Sequence, residues 1–104
     1  IGAPSAGARL GFELRGPSYS QAVLLWSDGL ALTPIEFPTI GTLYLRRTSI
    51  AAEPVGAADV DGRAYGEFAL PANANDVGRT LYFQGFFSTP RRLTNDWVGV
   101  TILP

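Results

Sequence analysis

The chain has 104 residues, 46% of them hydrophobic, and sets eight Arg against nine Asp and Glu for a formal net charge of -1. That is one domain with enough apolar content for a single core, and a charge balance that recruits neither nucleic acid nor an anionic membrane through bulk electrostatics. Cys, His, Met and Lys are all missing, which excludes disulfides, thiol nucleophiles, imidazole bases and most transition-metal sites.

Ile1 to Ala8 is small, uncharged and rich in Gly and Pro. It reads as a flexible arm or linker, with a strand donated to a neighbouring subunit as the sharper reading. With Ile1 rather than Met at its start, the expectation is a removed leader or a fragment of a longer polypeptide. The domain proper is expected over 9–104. Arg9 to Arg15 alternates, with Leu10, Phe12 and Leu14 on one face and charges on the other, as a strand with one wet face does. After a turn at Gly16-Pro17-Ser18, Gln21 to Trp26 is apolar on both faces and reads as a central strand. Its apolar run from Ala22 is far too short to cross a bilayer.

Leu30 to Ile40 carries Pro34 and Pro38, so it is an edge strand or an ordered loop. Gly41 to Arg47 is a better strand, Leu43 and Leu45 inward, Thr42, Tyr44 and Arg46 outward. Thr48 to Ala58 holds at most a short edge strand near Ser49 to Ala52. Asp59-Val60-Asp61-Gly62 is a tight turn. It launches an alternating strand with Ala64, Gly66, Phe68 and Leu70 inward. Pro71 to Gly78 is a crossing loop with one helical turn. Thr80 to Phe87 (T-L-Y-F-Q-G-F-F) is apolar on both faces and is the centre of the sheet. Ser88 to Asp96 is a longer loop, and Trp97 to Leu103 closes the chain with Val98, Val100 and Ile102 on one face. No stretch holds the 3.6-residue period. Seven or eight short strands with turns about every ten residues predict an all-β antiparallel sandwich of immunoglobulin-like type, essentially without α-helix.

The inner face of 80–87 is open on pattern alone. Hydrophobicity favours Leu81, Phe83 and Phe87. Against that, Gly78-x-Thr80-x-Tyr82 resembles the corner of immunoglobulin and fibronectin type III sandwiches, which would turn Tyr82 inward with its hydroxyl near Asp76. The second reading is marginally preferred, with Gly85 expected to mark a bulge.

Several stretches carry candidate chemistry. Leu81 to Gly85 looks like the core of a viral-protease recognition sequence, but Arg79 stands where that sequence needs Glu. Asp59-x-Asp61-Gly62 could open a calcium loop, yet lacks the further oxygen ligands and the distal Glu. Glu13, Glu36, Glu53 and Glu67 fall on outward faces or loops, without the burial that acid–base work needs. A serine nucleophile would have no base. No cofactor and no metal site are expected, and no enzymatic activity. The pairs Arg46-Arg47 and Arg91-Arg92 read as solvated rather than as a nucleic-acid patch. The best lead is the outward aromatics Tyr44, Tyr65 and Trp97, with Arg91 and Arg92 nearby in sequence to the last. Exposed rings beside Arg suit a protein interface, or stacking on a sugar. Tyr44 and Trp97 are expected on one sheet.

The second half also has a family likeness. Asp61 to Pro71 (D-G-R-A-Y-G-E-F-A-L-P), then V-G-R-T-L-Y-F-Q and T-N-D-W-V-G-V-T-I, resemble a β-sandwich module towards the C-terminal ends of secreted proteins of GC-rich, large-genome bacteria. The resemblance implies secretion or display at the cell surface. It implies an accessory, adhesive or structural role, through a protein partner or self-association in a larger extracellular assembly. A glycan-binding role is the alternative.

Overall fold

Two strands that are oily on both faces need cover on both faces, and they find it together. The computed structural model describes residues 5–71, 74–94 and 97–104. Nine strands run through them: β1 (Arg9–Arg15), β2 (Gln21–Ser27), β3 (Leu30–Phe37), β4 (Gly41–Leu45), β5 (Ala51–Ala57), β6 (Arg63–Ala69), β7 (Thr80–Ser88), β8 (Arg91–Leu93) and β9 (Val98–Thr101). The only helical turns among the described residues are the 3₁₀ turns Arg47–Ser49 and Ala74–Asp76. The fold is all-β, every strand pair is antiparallel, and the layers stack as a sandwich.

The main sheet runs β5-β2-β7-β8, with β9 also on β7. β8 and β9 share the far side of β7. β8 pairs with Phe86 to Ser88 and β9 with Thr80 to Phe83. Gln84 and Gly85 lie between the two pairings. A second sheet, β1-β6, covers one face of the main sheet. The B–E and C′–C–F–G pairings of an immunoglobulin-like sandwich are present: β1 with β6, and β5-β2-β7-β9. The outer strands A and D are not among the described strands.

The larger core lies between these sheets. It buries Leu14, Ala22, Leu24, Ala64, Phe68, Leu81, Phe87 and Ile102, with Phe12, Trp26, Val55 and Phe83 against them. Each large side chain here contributes roughly 1.5–3 kcal/mol, and no disulfide assists. Phe68 anchors the packing, edge-on to both Trp26 and Phe83 at centroid distances of 5.2 and 5.0 Å. Gly85 permits the close approach: a Cβ there would lie 2.8 Å from Leu14 Cδ2, so β1 rests directly over β7.

The ribbon β3-β4 crosses the opposite face of the main sheet. It starts at the edge of β8, where Leu93 N–H donates to the Ile40 carbonyl (2.8 Å). It ends beside the turn between β2 and β3, where Arg46 N–H donates to the Gly29 carbonyl (3.0 Å). Beneath it a smaller core buries Leu43, Leu45 and Leu93 against Leu25, Tyr82 and Phe86. This second cover explains why β2 and β7 are oily on both sides.

Several expectations are corrected. Leu81, Phe83 and Phe87 face the larger core, while Tyr82 turns to the opposite side. The Asp76 carboxylate accepts from Arg79 at 2.6 Å. The β2–β7 register is unbroken across Gly85, so no bulge lies there. Of the two readings of the proline-bearing segment the edge strand holds, bulged between Leu30 and Ile35, whereas the expected loop after β7 contains β8. The ambiguous stretch after residue 48 becomes the edge strand β5, longer than expected, with its register shift between Ala22 and Val23 of the partner strand. Residues 1–4 of the expected arm lie outside the described residues, but 5–8 are tied down. Ser5 bridges Leu103 in parallel, Ala6 N–H donates to Leu103 and Gly7 N–H to Pro71.

Candidate functional site: the open side of the sandwich

The two facing sheets are unequal. β6 lies over β5, where Val55 Cγ1 would stand 3.3 Å from a Cβ on Gly66, and β1 lies over β7. Cover over β9 is incomplete, with Val98 exposed and Val100 half-buried. In antiparallel register Val98 stands opposite Phe83 and Val100 opposite Leu81. Directly opposed residues share a face, so both valines point to the core side. Val98 is nonetheless 60% exposed.

The result is an open groove of about 1050 Å³ beside β1. Leu10, Phe12 and Leu14 form one wall, and Phe83, Val98 and Val100 the floor. Arg15 and Arg92 stand at one end, with Pro17 and Pro90. Arg92 is opposite Phe87 in register, so its chain leaves β8 on the core side, where it stays exposed. Among the described residues it makes no ion pair.

Among the described residues, the edge of β1 along this groove is unpaired. Gly16 N–H donates to Gly62, and the Ala8 carbonyl accepts from Leu70. Backbone groups alternate sides along a strand. The even residues of β1 therefore face β6, and Arg9, Gly11, Glu13 and Arg15 aim their N–H and C=O groups at the groove. Their side chains lie on the wet face, tied into pairs. Arg9 Nε donates to Glu67 (3.2 Å) and Arg15 Nε to Glu13 (2.6 Å). The Arg15 guanidinium holds the Glu13 carboxyl below its ordinary range, helped by Tyr65 and Arg63 and opposed by slight desolvation.

Of the aromatic and Arg residues expected to bind, Tyr44, Tyr65, Trp97, Arg91 and Arg92, the groove collects Arg92 alone. Arg91 is opposite Ser88 and leaves β8 on the other face. Tyr65 is 59% exposed and stands on the outer face of β6, opposite Glu13. Trp97 is 41% exposed and packs edge-on to Tyr82 at 5.5 Å, on the far side of the main sheet. Tyr44 is half-buried in the β3-β4 ribbon, not on the sheet that carries Trp97. These three rings form no common platform. Sequence reasoning missed Val98 as a surface residue because alternation names its face without saying what covers it.

The other candidates resolve locally. Asp59 Oδ1 accepts from the N–H groups of Asp61 (2.9 Å) and Arg63 (3.0 Å), the polar turn expected of it. Glu13, Glu36, Glu53 and Glu67 are all exposed. Among the described residues no three acidic groups gather as a metal site, and no helix is long and apolar enough to cross a membrane. Leu81 to Gly85 lies within β7, a strand flanked by β2 on one side and by β8 and β9 on the other. The chain matches no family model, no curated protein and no solved structure.

Proposed function

We propose that the chain is a non-catalytic contact module that meets a protein partner through the open side between β1 and β8–β9. The observation that carries this reading is Val98, a core-facing side chain left 60% exposed beside an unpaired strand edge. Apolar surface of this kind, continuous with a core and rimmed by charge, is where partners bind. The likeness of 61–102 to modules of secreted proteins supports a secreted or cell-surface setting. A photo-crosslinking residue placed at position 98, in the producing cells, tests the reading. The account expects discrete adducts there and none at Leu32, which is fully exposed on the β3 bulge. Equal labelling at both positions contradicts it.

A further inference from the structure

Resting on that contact reading, we infer that the open side takes one extended peptide strand of the partner, antiparallel to β1. Its inward side chains read acidic first and apolar thereafter.

The backbone supplies the first argument. Four residues of β1 present N–H and C=O groups to the groove with no partner among the described residues, over a strand of seven residues without proline or register shift. An added strand satisfies such a row directly. The outer edge of β5 is blunted by Pro54 and Gly56, and the far side of β7 is shared by two short strands, β8 and β9.

Shape supplies the second. The shelf of β8 and β9 projects past β1, since β1 rests over β7. A second folded copy offering its own β1 would bring its own projecting shelf into the same space. A lone extended segment meets no such obstacle. It would pair with β1 on one side and lay alternate side chains on Phe83, Val98 and Val100, as strand alternation requires.

Charge supplies the third and gives the direction. Arg92 points from the core-side face at the end of the groove where β1 finishes, beside Arg15. An antiparallel guest begins at that end. An acidic side chain at its first inward position meets Arg92, and small or β-branched apolar residues suit the next three.

The probe is the acetylated, amidated peptide Asp-Thr-Val-Thr-Val-Thr-Val-Gly, titrated into the intact chain. Amide exchange and chemical shifts are followed by nuclear magnetic resonance. Three comparison peptides are used: one with the acid moved to the last inward position, one with serine for the acid, and one N-methylated on alternate amides. The inference expects binding that slows exchange at Gly11 and Glu13. Moving the acid, or N-methylation, should weaken binding about tenfold, the worth of one good hydrogen bond or ion contact. Arg92→Ser, on an exposed side chain, should bring the acidic and serine peptides to equal affinity.

Binding that leaves the β1 amides unchanged, or that N-methylation does not weaken, overturns strand pairing while leaving the contact reading intact. Absence of binding to about 1 mM also overturns it, and the contact reading is then judged by crosslinking at position 98. Concentration-dependent dimerisation that protects the same amides would name a second copy as the occupant and overturn the lone strand.

Discussion

Gln84 reaches out of the main sheet and accepts a hydrogen bond on Oε1 from the backbone N–H of Tyr44, at 3.1 Å. Its amide nitrogen donates to the carbonyls of Thr42 (2.7 Å) and Thr94 (3.0 Å). One fully buried side chain thus joins β7, the ribbon that crosses it, and the junction between β8 and β9.

Those three bonds predict the cost of removing them. Gln84→Ala removes all three bonds beneath the ribbon and leaves a gap. Unsatisfied buried groups cost about 1–3 kcal/mol each, and partial access of water reduces the sum. The expected loss is ~2–4 kcal/mol, read from the midpoint of urea unfolding. A loss below ~1 kcal/mol would show that the ribbon docks by apolar contact alone.

The β3–β4 turn makes the opposite kind of prediction. Ile40 N–H donates to the Phe37 carbonyl (3.1 Å), Pro38 takes the second position, and Thr39 the third with φ of 65°. That turn wants glycine there, and a β-branched residue is strained by roughly 1–3 kcal/mol. Glycine costs about 0.5–1 kcal/mol of unfolded-state entropy in return. Thr39 is exposed, so no packing is lost. Thr39→Gly should raise stability by ~0.5–1 kcal/mol in the same urea assay, and a decrease would contradict the strained turn.

Glu13 sets a small pH dependence. Its folded-state pKa is lowered, first by the hydrogen bond from Arg15. A lowered carboxylate stabilises above its unfolded pKa, and that share is lost as pH falls through the folded value. The raised Arg15 contributes below its unfolded value, so its loss lies above any working pH. The pair is exposed, so the effect is modest. Glu13→Gln should show a smaller fall in urea midpoint between pH 7 and about pH 3 than the unaltered chain does. An equal fall would show that the pair adds nothing.

These cases show what the residues declare by themselves. Leu10, Phe12 and Leu14, and Ala64 and Phe68, announce their faces because one side of each strand is wet. Ala22 to Trp26 and Thr80 to Phe87 announce a central place because both sides are covered. That double cover also hid the direction of Tyr82, since alternation between two apolar faces chooses neither. β3 was obscured by Pro34 in its bulge, and β5 by Pro54 and Gly56, where local chemistry yields to the neighbouring strand. The open side was illegible for a different reason. Whether Val98 is covered depends on how many strands each sheet holds, which no residue near Val98 records.

The free edge of β1 is the claim on which the proposed contact rests, and amide hydrogen exchange of the isolated chain addresses it residue by residue. Groups paired within the sheet exchange slowly, and those facing solvent exchange fast. The account predicts alternation: Leu10, Phe12 and Leu14 protected, Arg9, Gly11, Glu13 and Arg15 fast. Uniform protection along all seven residues would mean that the edge is already paired, and would contradict the open side altogether.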